Sequence, residues 1–233
     1  MKMRTAMPSN QGGFSILTGF ILAIVMFGSL GFFLSGRGIS TTFGATYSNM
    51  SKVSGIMASA GSIATGFDAV MLNGQPASAV TFNTVANTGI FNPTAGGAAQ
   101  QALDPSMFVL RNAGTMAVTD GYWIYRGGQI KLNGVGTNAA EYTMIISGLK
   151  ESICTQINHT LYGTDLTTAP TPLTGFTDTL LLGNATAPTI TSPIGVTTIA
   201  PDLSSILPAG RMNGCYQTVT DLNYVYIHTL LAQ

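Results

Sequence analysis

Cys154 and Cys215 are the only thiols in this chain, and His159 and His228 are its only imidazoles. Thiols pair, attack or bind metal, and imidazoles move protons or bind metal, but each needs partners at a defined spacing. No C-x-x-C, H-E-x-x-H, G-x-S-x-G or phosphate-loop pattern is present. The nine acidic residues are scattered singly, so no pair of carboxylates is set up for acid–base work. His159 falls on a short predicted helix and His228 in the middle of a strand, and both read as structural. Arg126 beside Gly127 and Gly128 has the look of a phosphate cradle, but reads better as a turn residue pointing to solvent. Lys150 and Glu151 are adjacent at a helix start and read as a solvated face. The expectation is no enzyme, no cofactor and no metal.

The elements that would position these residues begin with composition. Only 8% of the 233 residues are charged and the formal net charge is zero, against a usual charged fraction of about 25%. Without a basic surface, no nucleic-acid partner is expected. With 45% hydrophobic residues, the chain is not of the disordered class. Abundant Gly, Thr, Ala, Ser and Asn suit an exported, β-rich domain with long polar loops. In an exported chain, two cysteines favour a disulfide over two unrelated buried thiols. Asn49, Asn158 and Asn184 each open an N-x-[ST] sequon.

The N-terminal segment is the strongest pattern. Lys2 and Arg4 are the only charges in the polar opening MKMRTAMPSNQGG, and residues 14–35 contain no ionisable side chain. That run approaches the ~20 residues a membrane-spanning helix needs and exceeds the roughly 7–15 of a signal-peptide core. The SGR that follows is a poor signal-peptidase site. Two charges before the run and Arg37 after it favour a cytoplasmic N-terminus with the bulk outside. Beyond the run, Ile39, Phe43, Tyr47, Met50, Val53, Met57, Ala60, Ala64, Phe67 and Met71 step by three or four, a helical stripe. Small residues form rows between them: Ser51, Gly55 and Ser59, then Ala58, Ser62 and Gly66. Such rows permit close approach of another helix or a sheet.

The stretch GGFSILTGFILAIVMFGSLGFF resembles the start of a type IV pilin or pseudopilin. In that family a short basic leader ends in glycine, and a membrane-embedded prepilin peptidase cuts after it. The new N-terminus is methylated, and the hydrophobic helix is kept as the filament core. Carried onto this sequence, the resemblance places the cut between Gly13 and Phe14, with Phe14 methylated. It gives filament-core packing to Thr18, Gly28 and Gly31. The sequence departs from the pattern at Thr18, where the family usually has glutamate. It also lacks the helix-interrupting proline, and its leader charges lie further from the cut.

In the rest of the chain, residues 73–106 read as loop with one short strand at 78–85. The stretch MAVTDGYWIYRGGQIKLNG reads as a hairpin turning at Gly127–Gly128. Residues 141–147 read as a strand, and LKESICTQINHTLYG as a helix ending at Gly163, with Leu149, Ile153, Ile157 and Leu161 on one face. Residues 164–210 read as a long loop with strands at 179–182 and 189–199. The final strand, from Tyr224, is apolar on both faces. The resemblance extends to this layout, since pilin heads lay an antiparallel sheet on the long helix and often staple the C-terminal segment with a disulfide. The expected fold is α+β and pilin-like: a leader at 1–13, a helix at 14–72 with 14–35 in the membrane or filament core, and a head at 73–233.

The expected function is that of a structural subunit of a type IV pilus-like filament. Its partners would be other copies of itself, the prepilin peptidase and the pilus assembly machinery. It would sit in the inner membrane before assembly and in an extracellular filament afterwards. The alternatives are a minor or tip pilin, a pseudopilin of a secretion system, and a single-span anchored ligand-binding protein. A secreted enzyme or adhesin that has lost the apolar segment is a further one.

Overall fold

The computed structural model describes residues 39–84, 86–99, 101–110, 121–132, 134–136, 140–173, 210–218 and 223–232. The chain divides into two compact units, Met1–Ser48 and Asn49–Gln233. In the first, residues 39–48 are described and are helical. The expected leader, the apolar run and the site residues Gly13, Phe14, Thr18, Gly28 and Gly31 lie outside the described residues, as do the strands expected at 179–182 and 189–199.

Helix α1 spans Ile39–Leu72. Its three-and-four spacing of apolar residues gives one face to bury, and in the second unit Val53, Ile56, Ala60, Ile63, Phe67 and Val70 are buried on it. The expected stripe is therefore right in period and rotated by about one position. Ile56, Ile63 and Val70 join the centre, Met57, Ala64 and Met71 flank it, and Met50 is exposed. Gly74, at φ 84°, ends the helix in a left-handed turn, and its N–H donates to the carbonyl of Met71. From residue 44 onward α1 is long and apolar enough to cross a membrane by length and composition. Within the second unit, one face of that helix packs on the sheet.

Among the described residues the sheet has five strands: β1 Ile124–Ile130, β2 Glu141–Leu149, β3 Pro172–Leu173, β4 Asn213–Thr218 and β5 Tyr224–Leu231. Their order is β1-β2-β5-β4-β3. The first four in that order pair antiparallel, and the two-residue β3 lies parallel to β4. The fold is α+β, as expected, but the sheet is mixed. A parallel neighbour needs a long connection, and residues 174–212 between β3 and β4 supply it.

Alternation along the strands sends side chains to two cores. Trp123, Tyr125, Met144, Ile146 and Tyr226 pack with α1. Ile124, Ile130, Ile145, Val225 and Ile227 face the other way, with Leu132, Val135, Leu173 and Tyr216. The double apolar character read in the last strand is this arrangement: Tyr226 belongs to one core, Val225 and Ile227 to the other.

Three expectations are corrected. Gly127–Gly128 is not a hairpin turn but lies inside β1. Arg126 pairs with Thr143 and Ile130 with Glu141, so four steps on β1 oppose two on β2. Two glycines side by side suit a bulge as well as a turn, and pairing with β2 on both sides keeps the strand running. Arg126 accordingly does not point to solvent. It alternates with Tyr125 onto the second face and is 1% exposed. At 78–85, a 3₁₀ turn (Ala77–Ala79) and an isolated bridge from Thr81 to Gly89 stand where a strand was expected. The chain folds back too tightly there to extend.

Helix α2, Glu151–Tyr162, ends as read, at Gly163 (φ 66°), whose N–H donates to the carbonyl of His159. Ile153 and Ile157 are buried, while Leu149 belongs to the end of β2. Gly148, at φ 79°, sits in a register shift of β2, and its N–H donates to Asn223 Oδ1 at 2.9 Å.

Candidate functional site

Small side chains on α1 divide by what they touch. Ser59 is buried, and its Oγ accepts a hydrogen bond from Trp123 Nε1 at 2.9 Å. Ser62 Oγ accepts from the backbone N–H of Ala99 at 3.1 Å. A Cβ on Gly66 would stand 2.7 Å from Ala98 Cβ and 3.1 Å from the carbonyl oxygen of Ile90. These three residues let the sheet and the 90–99 loop come close to the helix backbone. The close approach read from the two small-residue rows is thus, at Ser59, Ser62 and Gly66, contact within the head.

The opposite face is different. Met50, Ser54, Ala58, Gly61, Thr65, Asp68 and Leu72 are all exposed and again step by three or four. Leu72 is 87% exposed and Met50 49%. Among the described residues, a Cβ added at Gly55 or Gly61 would meet nothing within 4 Å. A helix-interior glycine costs about 1 kcal/mol relative to alanine, and no described neighbour requires it at these two positions.

The second feature is a stapled edge. Cys154 and Cys215 form a disulfide, with their Cα atoms 5.3 Å apart, tying α2 to β4. One turn later, Asn158 Nδ2 donates to the carbonyl of Cys215 at 2.7 Å, and its Oδ1 accepts from Cys215 N–H at 2.9 Å. The side-chain amide thus occupies both backbone groups of that residue, as a neighbouring strand would. Another turn on, Tyr162 Oη donates to the carbonyl of Asn213, and the Arg211 guanidinium stacks on the Tyr162 ring at 4.1 Å. Cys154, Asn158 and Tyr162 are spaced by four, so one line of α2 makes all three contacts. Sequence reading placed Cys154 beside the apolar face but took Asn158 only as a sequon. Its spacing from Cys154 is the signal that could have revealed the rest.

The two histidines are far apart in role. His159 is exposed, with Nδ1 2.6 Å from the carbonyl oxygen of Thr164. His228 lies half-buried on the helix-facing side of β5, with Nδ1 3.0 Å from Tyr226 Oη. Burial pulls its pKa down to about 4, so it is neutral at neutral pH.

On the second sheet face, Arg126, Thr143 and Glu141 are buried polar residues that sequence reading missed. Glu141 Oε2 accepts from Leu132 N–H at 2.8 Å, and burial lowers the pKa of Arg126. The alternation Glu141, Thr143, Ile145 carried this information, with Ile145 marking the face. Among the described residues, no group of three or more His, Cys, Asp or Glu is placed to hold a metal.

Comparison of the chain with protein-family models, with curated proteins and with solved structures gives no match. The described residues present a disulfide-stapled head that holds one face of a long helix and leaves the other face exposed.

Proposed function

We propose that this protein is a structural subunit of a type IV pilus-like filament, built by packing of its N-terminal helix against those of other copies. The observation that carries this reading is the open face of α1: among the described residues, a Cβ added at Gly61 on that face, or at Gly55 at its edge, would meet nothing within 4 Å. Helix glycines without an internal reason fit a backbone that another helix approaches closely. The uncharged run at 14–35, the α+β head and the disulfide at its edge support the same reading.

Under it, residues 1–13 are a leader removed by a prepilin peptidase after Gly13, and Phe14 becomes the methylated N-terminus. The subunit waits in the inner membrane on residues 14–35 until assembly machinery draws it into an extracellular bundle of identical stems. Thr18, Gly28 and Gly31 then pack in the filament core. Burying a side chain of this kind is worth about 1.5–3 kcal/mol against water. In the bundle it replaces lipid contact, so close packing rather than transfer from water supplies most of the net gain.

Intact mass and N-terminal sequencing of the mature protein test this reading. A chain beginning at methylated Phe14 is expected. A retained Met1 points to an anchored, unassembled protein, and a start beyond residue 35 to a secreted one; either result sinks the proposal.

A further inference from the structure

Two sets of aromatic contacts hold α1 on the sheet: Phe67 lies against Tyr125 and Tyr142, with ring centroids 6.1 Å apart in each pair, and nearer the start of the helix a second set converges on Tyr226. Tyr226 is fully buried, and its ring lies edge-on to Trp123, with centroids 6.0 Å apart. Trp123 in turn donates to Ser59 of α1. The Tyr226 hydroxyl donates to Met57 Sδ of α1 at 3.5 Å. The same hydroxyl lies 3.0 Å from His228 Nδ1, two residues along β5. One consistent set of hydrogens runs from Nδ1–H to Oη and from Oη–H to Sδ. His228 therefore adjoins one of the nodes through which the sheet touches the helix, the one at Met57 and Ser59.

The surroundings of His228 suit a neutral ring. On its own strand it meets Tyr226; across β2 its register partner is Met144, and across β4 it is Asn213. Through Asn213, α2 contributes Tyr162, and Arg211 stacks on that ring. From α1 comes Met57. None of these groups is a carboxylate, and Arg211 has the same sign as an imidazolium. Among the described residues, no anion stands here to receive the second N–H donor and the charge that a protonated ring would bring.

We propose that His228 is an acid-operated latch: the neutral ring keeps Tyr226 seated between sheet and helix, and protonation loosens α1 from the head. This goes beyond the filament reading and does not depend on it. The direction of the pH effect follows from burial. An unfolded chain binds this proton near pH 6.5 and the folded head only near 4. The unfolded state therefore holds more protons between those values, and stability falls as pH drops through that window.

Trp123 is the single tryptophan of the chain and sits at this node, so its fluorescence reports the seam directly. The full-length protein in detergent micelles would be titrated from pH 7 to 3. Tryptophan emission, far-UV circular dichroism and the imidazole resonance of His228 would be followed together. The expected result is a red shift of emission with a midpoint near pH 4, coincident with titration of His228, while secondary structure persists. In His228→Gln the emission should stay blue-shifted through that range. Identical profiles for the two proteins would overturn the proposal. Should the variant fail to fold, the wild-type chain decides alone: titration of His228 near 6.5, or an emission change that does not track it, is equally fatal.

Discussion

Gly66 and Gly61 lie five residues apart on α1, on different faces. At Gly66 the carbonyl of Ile90 and the methyl group of Ala98 press against the place a Cβ would take. At Gly61 the same construction meets open space among the described residues. Ser59 and Ala58 repeat the contrast: Ser59 is buried and bonded to Trp123, while its neighbour Ala58 is exposed. A small residue on a helix is therefore not one kind of feature. On one face smallness is enforced by the molecule's own loop and sheet. On the other, the glycine at position 61 costs helix stability, and among the described residues no neighbour requires it.

The largest expected change lies off both faces and sets the scale for them. Cys154→Ser opens a loop of 61 residues and should cost the head about 4 kcal/mol in the chain-entropy model. Denaturant unfolding with and without reductant measures it, and the filament reading requires that cleavage after Gly13 continue. An unchanged midpoint would remove the staple from the account of head stability. Next comes Gly66→Leu, which forces the 90–99 loop away from α1 at a cost of about 3 kcal/mol. Wild-type stability for this variant would break the contrast between the faces at its stronger side. Ser59→Ala leaves the buried Trp123 N–H without its acceptor, a loss of about 1–2 kcal/mol; replacing Trp123 by Phe in the same background should recover part of it. The smallest effect has the opposite sign. Gly61→Ala should stabilise the head by up to about 1 kcal/mol, yet reduce filament yield in cells. Unimpaired filaments from Gly55→Ala together with Gly61→Ala would show that the open face is not where copies meet.

Legibility in the sequence followed the physics of each element. The period of α1 was readable because one face is buried over many turns, so the three-and-four spacing repeats often enough to stand out. Its rotation was not, since Met57 and Ile56 are both apolar and only the sheet decides which one is central. The end of α2 was readable because Gly163 supplies a left-handed residue that few others tolerate. Gly127–Gly128 misled because two glycines free the backbone without saying whether it reverses or bulges, and the partner that settles it, β2, begins eleven residues after Ile130. Burial of Arg126 was hidden for the same reason: once the turn was assumed, its side chain was assigned to solvent. Both cysteines were visible as a candidate bridge. The clamp that Asn158 adds was not, because an amide's partners lie 57 residues away in sequence.

That clamp has a consequence in time. Asn158 belongs to an N-x-[ST] sequon, yet in the closed head both ends of its amide are taken by the backbone of Cys215. An enzyme that modifies this nitrogen can reach it only on a chain whose α2 has not yet docked on β4. Modification at this residue would thus serve as a clock rather than a label. A glycan found on the Asn158 peptide by mass spectrometry would record that transfer came before closure of the head, whereas Asn49, half-exposed on α1, keeps no such record.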